Sequence, residues 1–262
     1  MHCSISPQNP LKILNNLLDT LYESEQQSQK VVILTHIPLS DYTAQTVLVR
    51  FLRLVLERFK DTITTSLSAH THNDEFTFYK DSQGKNYLLE FISPSLTTYT
   101  DKNPGYRVYN FSNRGEVLDY QQYNFNIDVY NIFASQGNFT FEFDLSYSFL
   151  EEYELPTLKS PIASSKNESI DELEDKVLNQ DKFSKIYLKH YLTTFTNPKD
   201  YTAMSSKLVE AKCRTKDKVD LTTNCITQNG GNYISYIGTY LYRYFFERQK
   251  WIIKGKHNPF LD

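Results

Sequence analysis

The chain has 262 residues, with 40% hydrophobic and 23% charged side chains, which suits one large globular domain or two small ones. A formal net charge of −3 gives no electrostatic case for a nucleic-acid polymer or an anionic membrane. No run approaches the roughly 20 apolar residues of a membrane-spanning helix, and Met1–Pro7 lacks the basic and apolar pattern of a secretory signal.

Asn9 and Pro10 suit the cap and first position of a helix. Leu11, Leu14, Leu17, Leu18 and Leu21 then recur as one apolar stripe. Val31–Leu34 is a continuous apolar run, which predicts a strand buried on both faces. Asp41 can cap a second helix of about 18 residues that turns Val47, Phe51, Leu54, Val55 and Phe59 inward. Ile63–Leu67 reads as the next strand.

Both strands run into histidine. The first meets His36 in Leu34-Thr35-His36-Ile37-Pro38, and the second meets His70 and His72 in Ala69-His70-Thr71-His72-Asn73-Asp74-Glu75-Phe76. Open α/β folds build their sites at strand ends, and imidazole is the commonest protein ligand for zinc-like metals. An extended His70-Thr71-His72 points both rings the same way, whereas a turn there aims them at two different ions. His2, His190 and His257 lack such a context and receive no role.

Phe76–Tyr79 and Tyr87–Ile92 predict a hairpin around Ser82-Gln83-Gly84. A polar loop with Pro and Gly runs from Ser93 to Gly105, and a loop held between rigid strands is a common place for binding residues. Tyr106 leaves its Asn103-Pro104-Gly105 turn close to the histidines. Tyr106–Phe111, Val117–Asn126 and Phe139–Tyr147 continue as strands. A Pro-, Ser- and Lys-rich linker begins near Leu155, and Ser169-Ile170-Asp171-Glu172 fits a capping box. Helices are predicted over Lys182–Thr194, Ala203–Cys213 and Tyr233–Trp251. The organisation is α/β over residues 1–154 and mostly helical over 155–262.

Sequons stand at Asn110, Asn138 and Asn167 and matter only in a secretory compartment. Cys213 and Cys225 either form a bridge worth roughly 3 kcal/mol in the loop-entropy model or stay as two thiols. Cys3 is left over.

The chain resembles the acid sphingomyelinase family of calcineurin-like metallophosphoesterases. The segments that carry the resemblance are Thr35-His36-Ile37-Pro38, Ala69 to Phe76, Pro94-Ser95-Leu96-Thr97-Thr98-Tyr99, and Asn103-Pro104-Gly105-Tyr106-Arg107-Val108-Tyr109, in order and correctly spaced. The last is the most specific. The resemblance runs from about Cys3 to at least Tyr153, and the tail with two cysteines is also similar to the family's C-terminal region.

The resemblance implies a metallophosphoesterase-type β-sandwich flanked by helices and two zinc ions, one held by His36 and His70 and the other by His72. It implies hydrolysis of a phosphodiester, typically sphingomyelin to ceramide and phosphocholine, with Tyr106 and Asn103 lining the substrate pocket. It also implies an extracellular or lysosomal setting and peripheral contact with membrane lipid. Thr35 and Ala69 replace family glycines. The family's Asp-x-His, Gly-Asp-x-x-Asp and Gly-Asn-His-Glu segments, which supply the other ligands and the acid, do not occur in the chain. The expectation is therefore the C-terminal half of such an enzyme, inactive alone. Rival readings are a non-catalytic binding module and a hydrolase of nucleotides or other phosphoesters.

Overall fold

The computed structural model describes residues 10–39, 46–99, 102–137, 142–158 and 168–193. They form a mixed α/β arrangement with two sheets and two further helices beyond them.

Helix α1 (Pro10–Gln26) buries Leu14, Leu18 and Leu21, the stripe that its leucine spacing predicts. It leads into β1 (Val31–Leu34), then α2 (Thr46–Arg58) and β2 (Ile63–Ser68). In α2 the inward stripe is Phe51, Val55 and Leu56, continued by Phe59 just beyond the helix. Leu54, expected inside, is 40% exposed, because it lies about 120° around the helix from the centre of the stripe formed by Phe51, Val55, Leu56 and Phe59. Asp41 and the rest of the expected N-terminal part of this helix lie outside the described residues.

Strands β3 (Glu75–Lys80) and β4 (Asn86–Ile92) are the expected hairpin. Its turn is held by the Asp81 carboxylate, which accepts from the Gln83 and Lys85 amides, and Gly84 takes the positive φ of +81° that the reversal needs. The first sheet runs β1-β2-β4-β3, with β1, β2 and β4 parallel. The expectation that β1 is buried on both faces is corrected. It is an edge strand among the described residues, half-buried along most of its length, with Leu34 74% exposed.

The second sheet is antiparallel, built from β5 (Gly105–Phe111), β6 (Val117–Asn124) and β7 (Asp144–Ser148). A helix that the strand pattern did not predict, α3 (Ile127–Ser135), separates β6 from β7. Asn126, expected in a strand, is its cap, and the side-chain oxygen accepts from the Val129 amide at 3.1 Å. The one-turn α4 (Phe149–Glu152) follows β7. Helix α5 (Glu168–Asn179) starts one residue before the expected cap, Ser169, and α6 (Asp181–Thr193) matches its prediction closely.

Two apolar clusters fix the layers. Leu14, Leu18, Phe51, Val55, Ile63 and Leu88 join α1 and α2 to one face of the first sheet. On the other face, Phe76, Phe78 and Phe91 meet Tyr120 and Tyr147 of the second sheet, Phe149 and Tyr153, and Leu173, Phe183 and Tyr187 of α5 and α6. Phe76 sits at the centre, edge-on to Phe78, Phe149, Tyr153 and Tyr187 with ring centroids 5.0–5.6 Å apart. Edge-to-face pairing sets each ring's positive rim against a negative face and adds to the burial energy. The expected helices over Ala203–Cys213 and Tyr233–Trp251 lie outside the described residues.

Candidate metal centre

The parallel pairing of β1 and β2 continues past the strand ends. The Thr35 amide donates to the Leu67 carbonyl at 3.0 Å, and the Ala69 amide donates to the His36 carbonyl at 3.1 Å. This backbone zipper places the two histidine segments side by side. His36 Nε2 lies 3.2 Å from His70 Nδ1, with the rings nearly perpendicular. Two nitrogens bound at about 2.0–2.1 Å to neighbouring corners of one tetrahedral zinc stand about 3.3 Å apart. The contact is an imidazole–imidazole hydrogen bond, and its length matches the separation of two nitrogen ligands on one ion.

The His-x-His segment is not extended. His70 and His72 both have positive φ, +67° and +59°, and the Thr71 amide closes a tight turn on the Ala69 carbonyl at 2.8 Å. Left-handed backbone at a non-glycine residue costs roughly 1–2 kcal/mol. The turn gives His72 a separate setting, edge-on to the Tyr99 ring with centroids 6.2 Å apart. Among the described residues, no group of three or more His, Cys, Asp or Glu side chains gathers around one point.

The three residues after the turn are buried and firmly held. Asn73, Asp74 and Glu75 are all polar or charged, yet each is shielded from solvent. The Asn73 amide donates to Glu75 at 2.9 Å, and Lys102 donates to the Asn73 oxygen. Asp74 accepts from Arg107 of β5 and, at 2.7 Å, from the Tyr147 hydroxyl of β7. Arg107 also donates Nε–H to Gln122 at 2.7 Å and lies over the Tyr120 ring, 4.4 Å from its centroid. Burial works against the Arg107 charge, but Asp74 together with Tyr120, Tyr109 and Tyr147 outweighs it and leaves the guanidinium pKa well above its ordinary value. Burial first, and then Asp74, push the Tyr147 hydroxyl up. A buried pair of this kind adds little net stability, yet removing one partner costs about 3–5 kcal/mol.

The loop before β5 meets the same region. Tyr106 is 37% exposed, stacked on Tyr123 with centroids 5.0 Å apart and edge-on to Phe143 at 5.1 Å. Asn103 is buried, and its side-chain oxygen accepts from the Ile127 amide at 3.1 Å, where the chain turns into α3. Gly105 is favoured by space: a Cβ there would stand 2.6 Å from Asn124 Oδ1 and 3.0 Å from Gln122 Nε2, so those side chains would have to shift. Asn110 is exposed on β5. Asn138, Asn167, Cys213 and Cys225 lie outside the described residues. His190 is buried against the Tyr147 ring, with Glu152 2.7 Å from Nε2.

Asp74, Arg107, Lys102, Gln122 and Tyr147 received no role from sequence reasoning. The first two stand inside the segments that carry the family resemblance, but only the docking of the second sheet reveals that they meet.

No family model matches the chain. Curated relatives do. The chain is 33% identical over 158 residues to "Sphingomyelin phosphodiesterase A" of Dictyostelium discoideum, covering 57% of this chain and 25% of that protein. It is 30% identical over 219 residues to "Sphingomyelin phosphodiesterase 2" of Caenorhabditis elegans, covering 80% and 32%. With "Sphingomyelin phosphodiesterase B" of Dictyostelium discoideum it shares 28% over 244 residues, covering 86% and 35%. The chain thus spans between a quarter and about a third of the length of these relatives. On this partial and distant homology, repeated across species, the chain belongs to the sphingomyelin phosphodiesterase family.

Proposed function

We propose that the chain carries part of a zinc-dependent phosphodiesterase site of the kind for which its relatives are named. His36 and His70 hold one ion and His72 contributes to a second. The observation that carries this reading is the 3.2 Å approach of His36 Nε2 to His70 Nδ1 at the ends of adjacent parallel strands. Bound zinc supplies Lewis acidity and lowers the pKa of a coordinated water. A zinc site wants four or five ligands, so further donors come from groups outside these three histidines.

The chain's own residues do the positioning. The positive-φ residues His70 and His72 turn the chain and divide the imidazoles between two directions. Tyr99, 73% exposed beside His72, and Tyr106 offer aromatic surface to a substrate, with Asn103 proposed as a further substrate-lining residue. The substrate class is a phosphodiester lipid such as sphingomyelin, reached by peripheral contact. No described helix is long and apolar enough to cross a membrane. We read the two sheets and flanking helices as part of a metallophosphoesterase β-sandwich over residues 1–154, with 155–262 as a helical region. The setting is extracellular or lysosomal, where the exposed Asn110 can carry glycan.

Zinc titration against a chromophoric chelator tests the reading. The full chain should compete for zinc, and His36→Ala and His70→Ala should each abolish most of that competition. Equal competition by all three proteins would sink the proposal. Release of phosphocholine from sphingomyelin, compared with phosphate from ATP, then separates a lipid from a nucleotide substrate.

A further inference from the structure

The strained turns that aim His70 and His72 need something to hold them, and the residues just after them are tied to a different sheet. Asp74 stands two residues beyond His72 and is gripped from the second sheet by Arg107 on β5 and Tyr147 on β7. Arg107 is itself fixed by Gln122 of β6, whose amide donates to Asn124 at 2.9 Å. Lys102, from the loop before β5, adds a hold on Asn73. All three strands of the second sheet therefore converge on the two positions that come after the histidines.

We propose that Arg107, acting through Asp74, is a positioning residue for the histidine pair: docking of the second sheet sets the turn that carries His70 against His36. The inference rests on the zinc reading, because the pair's alignment matters chiefly if it receives an ion. Partners hydrogen-bonded to metal ligands typically change metal affinity by about 10–100-fold when replaced, and the same range is expected for a brace that acts through the backbone of the turn. Removing both charges together avoids leaving one buried and unpaired.

The experiment uses the full chain and zinc chloride, with two readouts. One is zinc affinity by chelator competition. The other is the ¹⁵N imidazole spectrum of the metal-free protein, where the His36–His70 contact fixes a tautomer on each ring. The double variant Asp74→Asn/Arg107→Gln should lose about 10–100-fold in zinc affinity and lose the paired-imidazole signature. Arg107→Lys, which keeps a cation for Asp74 but cannot also reach Gln122 as a planar fork, should fall between the two and serves if the double variant does not fold. Lys80→Met breaks another ion pair, with Glu174 of α5 at 2.6 Å, at the end of β3 away from the histidine turn. It should change thermal stability without changing either readout.

The positioning role is overturned if the Arg107 variants keep wild-type affinity and spectrum. It is equally overturned if Lys80→Met moves both readouts as far, because the effect would then be general loosening. Should the wild-type chain take no zinc, the functional reading fails, and the imidazole spectrum alone decides the positioning role.

Discussion

Glu90 lies fully buried in β4, facing the layer formed by α1 and α2. The Tyr79 hydroxyl donates to one carboxyl oxygen at 2.5 Å and the Ser66 hydroxyl to the other at 3.3 Å, with Ser68 and the Arg53 charge nearby. Burial pushes the carboxyl from about 4.5 up to about 7, and the hydroxyls and Arg53 offset only part of that. The folded state thus binds this proton more tightly than the unfolded chain does. Its contribution is complete below pH about 4.5, declines as pH rises, and is gone above pH about 7. At about 1.4 kcal/mol per pH unit, the gap amounts to roughly 3 kcal/mol. Glutamine mimics the protonated acid, since its oxygen can accept from Tyr79 and its amide can donate to Ser66. Glu90→Gln should match wild type near pH 4.5 and exceed it by about 3 kcal/mol at pH 8. Urea unfolding at several pH values reads this difference. His190 runs the other way: burial lowers its pKa below the ordinary 6.5, so its share of stability is lost as pH falls. That share is common to both proteins and cancels. Parallel stability curves for wild type and Glu90→Gln would refute the reasoning.

Phe76→Ala should cost about 3–5 kcal/mol in urea unfolding, since it empties the centre of a ring cluster whose other members are already packed against one another. Gly105→Ala should cost about 1–3 kcal/mol as overpacking, because the new methyl meets Asn124 and Gln122 where those side chains are hydrogen-bonded to each other. Pairing it with Asn124→Gly, which removes the nearest obstacle, should recover part of the loss in thermal midpoint.

Period and punctuation made much of this architecture legible. The leucines of α1 carry a helical repeat, the Ser82-Gln83-Gly84 turn marks a hairpin, and two apolar runs end on histidine. Helix α3 was not legible, because none of its side chains is buried and its start is held partly by a distant residue, with Ile127 donating to Asn103 beside the local bond from Val129 to Asn126. Leu54 was misplaced because an apolar residue at the rim of a stripe looks like one inside it.

For the candidate site, the linear chain determined which residues are proposed as ligands: His36, His70 and His72 near strand ends, inside segments specific enough to name a family. Tertiary structure alone decided how they are arranged. His36 and His70 meet because β1 and β2 are parallel neighbours, a relation between strands some thirty residues apart. His72 stands apart because two left-handed residues bend a segment that strand alternation would have kept straight. Side-chain type follows from local sequence, whereas distance and direction depend on contacts that form only when distant elements close on one another.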